Sequence, residues 1–104
     1  MSLQNPIPIR LKEARKKVTL SQKALGIRIG MDESSASARM NQYEKGKHAP
    51  DIQTLKLIAE ELDVPLNYFF CEEESSAKLA CLIAKLSEEE RQELINKLSD
   101  SEES

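Results

Sequence analysis

The chain has 104 residues, 39% hydrophobic and 32% charged, with 4% aromatic residues, three glycines and four prolines. That length suits one domain with a short extension, and the scarcity of Gly and Pro disfavours a turn-rich all-β fold. The net charge of −3, read alone, argues against a polyanionic partner, and no apolar run approaches the ~18–20 residues that a membrane helix needs.

Ile7, Leu11, Ala14 and Val18 are spaced as one face of a first helix. Pro8 suits its first turn, where a missing N–H costs nothing. Arg10, Lys12, Lys16 and Lys17 fall on the opposite, basic face. Ser21 is the N-cap of a second helix, with Leu20 and Leu25 placed to form a hydrophobic staple. That helix is expected to run through Ala24, Leu25 and Ile29 to Gly30, a fitting C-terminal residue. Gly26 sits inside it at a cost of roughly 1 kcal/mol relative to Ala, which points to a second helix packed closely there, with a tolerated surface glycine as the alternative.

Asp32 is read as the cap of a third helix that continues to Lys45, with Ala36, Met40 and Tyr43 inward. Gly46 ends it, and Lys47, His48, Ala49 and Pro50 form a basic loop. Asp51 caps a fourth helix whose inward set is Ile52, Leu55, Ile58, Ala59 and Leu62. Pro65 opens a short fifth helix bearing Leu66, Phe69 and Phe70. The run Glu72, Glu73, Glu74, Ser75, Ser76 marks a boundary. Beyond it Leu79, Leu82, Ile83 and Leu86 form an apolar stripe, Ser87 and Glu90 a capping box, and Leu94, Ile95 and Leu98 line the last helix. The polar tail from Ser99 to Ser104 is expected to fray. The pattern is all-α, with a domain over 7–70 and a helical extension over 75–99.

Charge is unevenly distributed. Residues 10–47 hold 10 Lys/Arg against 4 Asp/Glu, and residues 71–104 hold 4 against 10. A basic segment followed by an acidic tail raises a nucleic-acid hypothesis that the net charge concealed. The outer faces of the third helix read Ser34, Ser35, Ser37, Ala38, Arg39, Asn41 and Gln42, small or hydrogen-bonding residues in place of Glu/Lys pairs. Such a face suits base edges in the B-DNA major groove, where Gln or Asn pairs with adenine and Arg with guanine. The alternative for it is an ordinary solvated surface.

Residues 10–70 resemble the lambda-repressor-like helix-turn-helix family, the xenobiotic-response-element type that includes phage repressors and Cro. The residues that carry the resemblance begin with Arg10-Leu11-Lys12, Arg15, Leu20-Ser21-Gln22, Leu25 and Ile29-Gly30. They continue with Tyr43-Glu44-Lys45-Gly46-Lys47, Pro50, Thr54-Leu55, Ile58-Ala59, Leu62, Val64-Pro65-Leu66 and Phe69-Phe70. The resemblance implies a five-helix DNA-binding domain, usually dimeric, with its third helix in the major groove. It implies base-reading positions at Gln42, Ala38 and Ser37, with Asn41 and Arg39 beside them. It implies phosphate contacts from Gln22 and Lys23 at the start of the second helix, and from Lys45, Lys47 and His48 in the loop. It also implies a structural ion pair between Arg15 and Glu44. One departure stands out: Gly30 and Gly46 are sixteen positions apart where the family has about twelve, an excess of about one helical turn. Either the third helix starts a turn early or the preceding loop is longer.

The extension is read as a dimerisation element through Leu79, Leu82, Ile83, Leu86, Leu94, Ile95 and Leu98, with packing onto the chain's own domain as the alternative. The function expected is a sequence-specific transcriptional regulator, a phage-type repressor on a pseudo-palindromic operator. The alternative is an antitoxin that holds a toxin through the C-terminal helices; a helical adaptor without DNA binding is a third reading. No base–nucleophile pair, phosphate loop, zinc spacing or cofactor motif suggests an enzyme or a metal protein. The N-terminus shows no signal-peptide pattern, and the two cysteines, Cys71 and Cys81, are expected as free thiols in a reducing compartment. The expectation is a cytoplasmic, bacterial or phage-encoded protein.

Overall fold

A computed structural model describes residues 5–103, so Ser104 at the end of the tail lies outside the described residues. Six α-helices and one 3-10 helix follow in order: α1 Ile7–Lys17, α2 Gln22–Arg28, α3 Ala36–Glu44, α4 Ile52–Leu62, the 3-10 helix Leu66–Phe70, α5 Glu74–Ala84 and α6 Glu88–Glu103. The all-α expectation holds. Leu11, Leu25, Met40, Leu55, Ile58 and Phe69 are the large side chains sealed in the core.

Local chemistry sets most helix ends. The Ser21 hydroxyl accepts from the Ala24 N–H at 3.0 Å and starts α2. The chain leaves α2 through Gly30 at φ +96°, where a side chain would be strained. The Met31 N–H then donates to the Gly26 carbonyl at 2.9 Å, and Met31 drops into the core. Asp51 Oδ1 accepts from the Thr54 N–H at 2.7 Å and starts α4. Asp63, in the left-handed region at φ 55°, closes it. Ser87 and Glu90 form the expected reciprocal capping box at 2.9 and 3.1 Å. Gly26 meets the close neighbour its position implied: a Cβ there would lie 2.8 Å from the Ala36 Cβ.

Several expectations are corrected. Asp32 does not cap α3, which begins at Ala36. Instead its main-chain carbonyl accepts from the N–H groups of Ser35 (3.1 Å) and Ala36 (2.9 Å), so the extra residues form a turn ahead of the helix. Ile52 is 53% exposed, because the covered face of α4 begins at Leu55. In the fifth element Tyr68 is buried and Phe70 exposed, since a 3-10 helix has three residues per turn and rotates the inward set. Within the described residues the tail is helical, and α6 extends to Glu103.

The largest correction concerns Arg10, placed by its sequence on a solvated basic face but only 2% exposed. The segment 72–76 is the reason. Arg10 Nε donates to the Cys71 carbonyl at 2.8 Å and Nη2 to the Glu72 carbonyl at 3.3 Å, while Nη1 pairs with Glu74 (3.0 Å) and Glu13 (3.2 Å). Burial lowers the Arg10 pKa, but the hydrogen bonds to Glu74 and Glu13 outweigh it and leave the guanidinium pKa raised. The Tyr68 hydroxyl donates to Glu13. Burial, then this carboxylate, pushes the phenol's pKa up, so it stays a donor. The acidic run is therefore a tied joint, and α5 continues into the body by burying Ala77 and Ala80.

α6 differs from the other helices. Arg91 reaches back to the Ile83 and Ala84 carbonyls at 3.4 Å. Ile95 and Leu98 nevertheless remain 52% and 61% exposed. The radius of gyration, 16.0 Å, exceeds the ~13 Å of a compact chain of this length.

Candidate nucleic-acid interface

The interface is built on α2 and α3, locked together at Gly26 and Ala36. Ala36, Met40 and Tyr43 bury one side of α3. This leaves Ser37, Ala38, Arg39, Asn41 and Gln42 exposed on the remainder. All five proposed base-reading residues are therefore exposed, over an arc of more than half the helix circumference.

Glu44 fixes the far end of that face. Its carboxylate takes Arg15 Nε at 2.5 Å and Nη2 at 2.9 Å, a two-pronged contact. The Arg15 side chain is 11% exposed and that of Glu44 3%. The hydrogen bond to Glu44 raises the Arg15 pKa against the opposing effect of burial. Arg15 Nη1 also donates to the Leu20 carbonyl at 2.8 Å, tying the α1–α2 turn to the same pair. Gln22, half-buried in the first turn of α2, donates Nε2 to Glu44 Oε1 at 3.0 Å and to Asn41 Oδ1 at 3.2 Å. One glutamine therefore joins the start of α2 to both the ion pair and a candidate base reader. It holds Asn41 by its carbonyl, which leaves the Asn41 amide N–H groups available as donors.

The loop after α3 folds back on it. Gly46 has φ +75°, and the Lys47 and His48 N–H groups donate to the Gln42 carbonyl at 2.9 and 3.4 Å. Lys45, Lys47 and His48 are exposed beside the end of the helix. Lys23 stands apart from these cations: its ammonium lies 3.4 Å from Glu33, in the extra turn. Sequence reasoning missed this pairing, the buried Met31 and the Arg10 joint. The available signal for Arg10 was its position four residues before the buried Ala14, on the same stripe.

A short helix locked to a second helix, with a polar outer face and basic flanks, defines a helix-turn-helix DNA-binding protein. The helix-turn-helix family model matches residues 11–69. Among solved structures, that of the transcriptional regulator BswR is similar, with 42% identity and a TM-score of 0.82 over 90% of this chain and 93% of that one. A comparison with curated proteins gives no match. The chain belongs to the lambda-repressor-like helix-turn-helix family and is a DNA-binding transcriptional regulator. Among the described residues no helix is long and apolar enough to cross a membrane.

Proposed function

We propose that the chain is a repressor of the phage type that binds a pseudo-palindromic operator as a homodimer. Two copies of α3 enter successive major grooves about 34 Å apart. Gln42, Asn41 and Arg39 read base edges, Ser37 adds a hydroxyl contact, and Ala38 meets a thymine methyl. Lys45, Lys47 and His48 engage phosphate, which makes affinity salt-dependent, while Gln22, with both amide hydrogens given to Glu44 and Asn41, positions Asn41. Bound at a promoter, the dimer excludes polymerase.

The observation that carries the dimeric reading is the apolar stripe on α5 and α6. Leu79, Leu82, Ile83, Ile95 and Leu98 are 41–61% exposed, and an exposed apolar cluster of this kind marks a protein–protein contact. Ile83, Leu94, Ile95 and Leu98, with Ala80 and Pro65, line a groove of about 390 Å³. A second copy presents the same stripe and groove, as a two-fold interface requires. The acidic balance of residues 71–104 keeps this end off DNA.

Selection from a random duplex library, followed by sedimentation of the chain with and without the selected site, tests the proposal. The expected result is a pseudo-palindrome with half-sites about one helical turn apart, bound by a dimer. A chain that stays monomeric at micromolar concentration overturns the dimer and assigns the stripe to a foreign protein, as in an antitoxin. Selection without an enriched motif overturns operator recognition.

A further inference from the structure

We propose that Arg10 is a positioning residue that sets the spacing between operator half-sites, by clamping the joint between the DNA-binding body and the C-terminal arm. The inference rests on the dimeric reading above. Three residues, Cys71 to Glu73, connect the 3-10 helix to α5. Arg10 holds two successive carbonyls of this joint, those of Cys71 and Glu72, and the carboxylate of Glu74 at the first residue of α5. Its planar fork fixes direction as well as distance, which a lysine ammonium does not. Glu13 and Tyr68 complete the clamp from α1 and the 3-10 helix. The side chain is 3% exposed, so water does not compete for these donors.

The hydrogen bonds and ion pairs of Arg10 go to Glu13, Cys71, Glu72 and Glu74, none of them on α2 or α3. What it controls is the angle at which α5 leaves the body. In a dimer joined through α5 and α6, that angle determines the separation of the two recognition helices. A change in that angle moves a recognition helix along the duplex, where one base-pair step is ~3.4 Å. A clamped joint therefore makes a mis-spaced operator bind only by deforming DNA, and a loosened joint lets the protein absorb the mismatch.

The test uses the full chain and duplexes that carry the selected half-sites at the selected spacing and at one and two base pairs more or fewer. Wild type is expected to prefer one spacing by at least about tenfold. Arg10→Lys keeps the charge but loses the fork. Its spacing preference is expected to fall to about threefold or less, with affinity for an isolated half-site and base preference unchanged. Glu74→Gln, at a side chain 78% exposed, is expected to give an intermediate loss, and it decides the matter should Arg10→Lys fail to fold. Folded variants that discriminate spacing as wild type does overturn the role of Arg10 alone. A wild type indifferent to spacing overturns the dimeric reading and this inference with it.

Discussion

Glu44 joins three elements through single side chains, and its partners divide between stability and recognition. The Arg15–Glu44 pair is desolvated, so removing one partner leaves the other buried and unpaired. Arg15→Met is expected to destabilise the fold by ~3–5 kcal/mol, whereas replacing both residues with apolar ones recovers much of that loss. Urea unfolding of the single and double variants checks both statements. Gln42 faces outward and holds no such network through its side chain, so Gln42→Ala is expected to leave the unfolding midpoint in place. It is expected to weaken the selected operator by ~1–3 kcal/mol with little effect on random duplex. Lys47→Ala is expected to do the reverse. It should lower affinity for all sequences alike and reduce the slope of log K against log salt by about 1. Binding titrations on specific and random duplex across a salt series separate the two residues.

Gly26 couples α2 to α3 more tightly than any side chain could. Alanine at 26 would gain about 1 kcal/mol in helix propensity. Its Cβ, however, would meet the Ala36 Cβ at 2.8 Å and the Ala36 Cα at 3.2 Å. Overpacking against backbone costs ~1–3 kcal/mol, so Gly26→Ala is expected to destabilise, and adding Ala36→Gly to recover part of the loss. Thermal melts check the order of the three variants. At α4, the backbone hydrogen bond from Thr54 depresses the Asp51 carboxyl pKa. The folded value lies below the unfolded one, so this stabilisation is present above the ordinary carboxylate range and is lost as pH falls through the folded value. Asp51→Asn keeps a capping oxygen, and its melting temperature is expected to fall less steeply on acidification. The capping signals at Ser21, Asp51 and Ser87 were legible because each is settled within four residues of chain. Gly26 was legible because a helix-breaking residue inside a helix needs a tertiary reason. Arg10, Tyr68 and Ile52 were not read correctly, because whether a helical residue is covered or left in water depends on which distant element packs there; spacing places Arg10 near the stripe but does not name what closes over it. Periodicity reports a helix's faces, not the neighbour that closes over one of them. The extra residues before α3 could be counted in the sequence but not placed: a turn and an added helical turn use the same residues, and the Asp32 carbonyl decides between them.

The molecule is polarised by both charge and packing. Its basic segment carries the proposed reading face, and its acidic third carries apolar residues that its own core does not cover. The extension is nevertheless not a detachable tail. Ala77 joins the core cluster beside Tyr68 and Phe69, so cutting after Phe70 would uncover the body. Within the described part of the extension, the outer face of α5 and the apolar side of α6 are left open. The informative change is therefore at residues that the protomer leaves in water: Ile95→Glu with Leu98→Glu removes apolar surface without opening a cavity. Two glutamates set against the same pair on a second copy would add like charges across a desolvated interface, which costs several kcal/mol. The double variant is expected to sediment as a folded monomer with an unchanged helical circular dichroism spectrum. It is expected to bind an isolated half-site like wild type, yet lose the gain in affinity that wild type draws from two linked half-sites, on the order of 10²-fold or more. Retained dimerisation in that variant would place the interface elsewhere. Retained affinity for the paired site in a proven monomer would mean that the two halves of the operator are read independently.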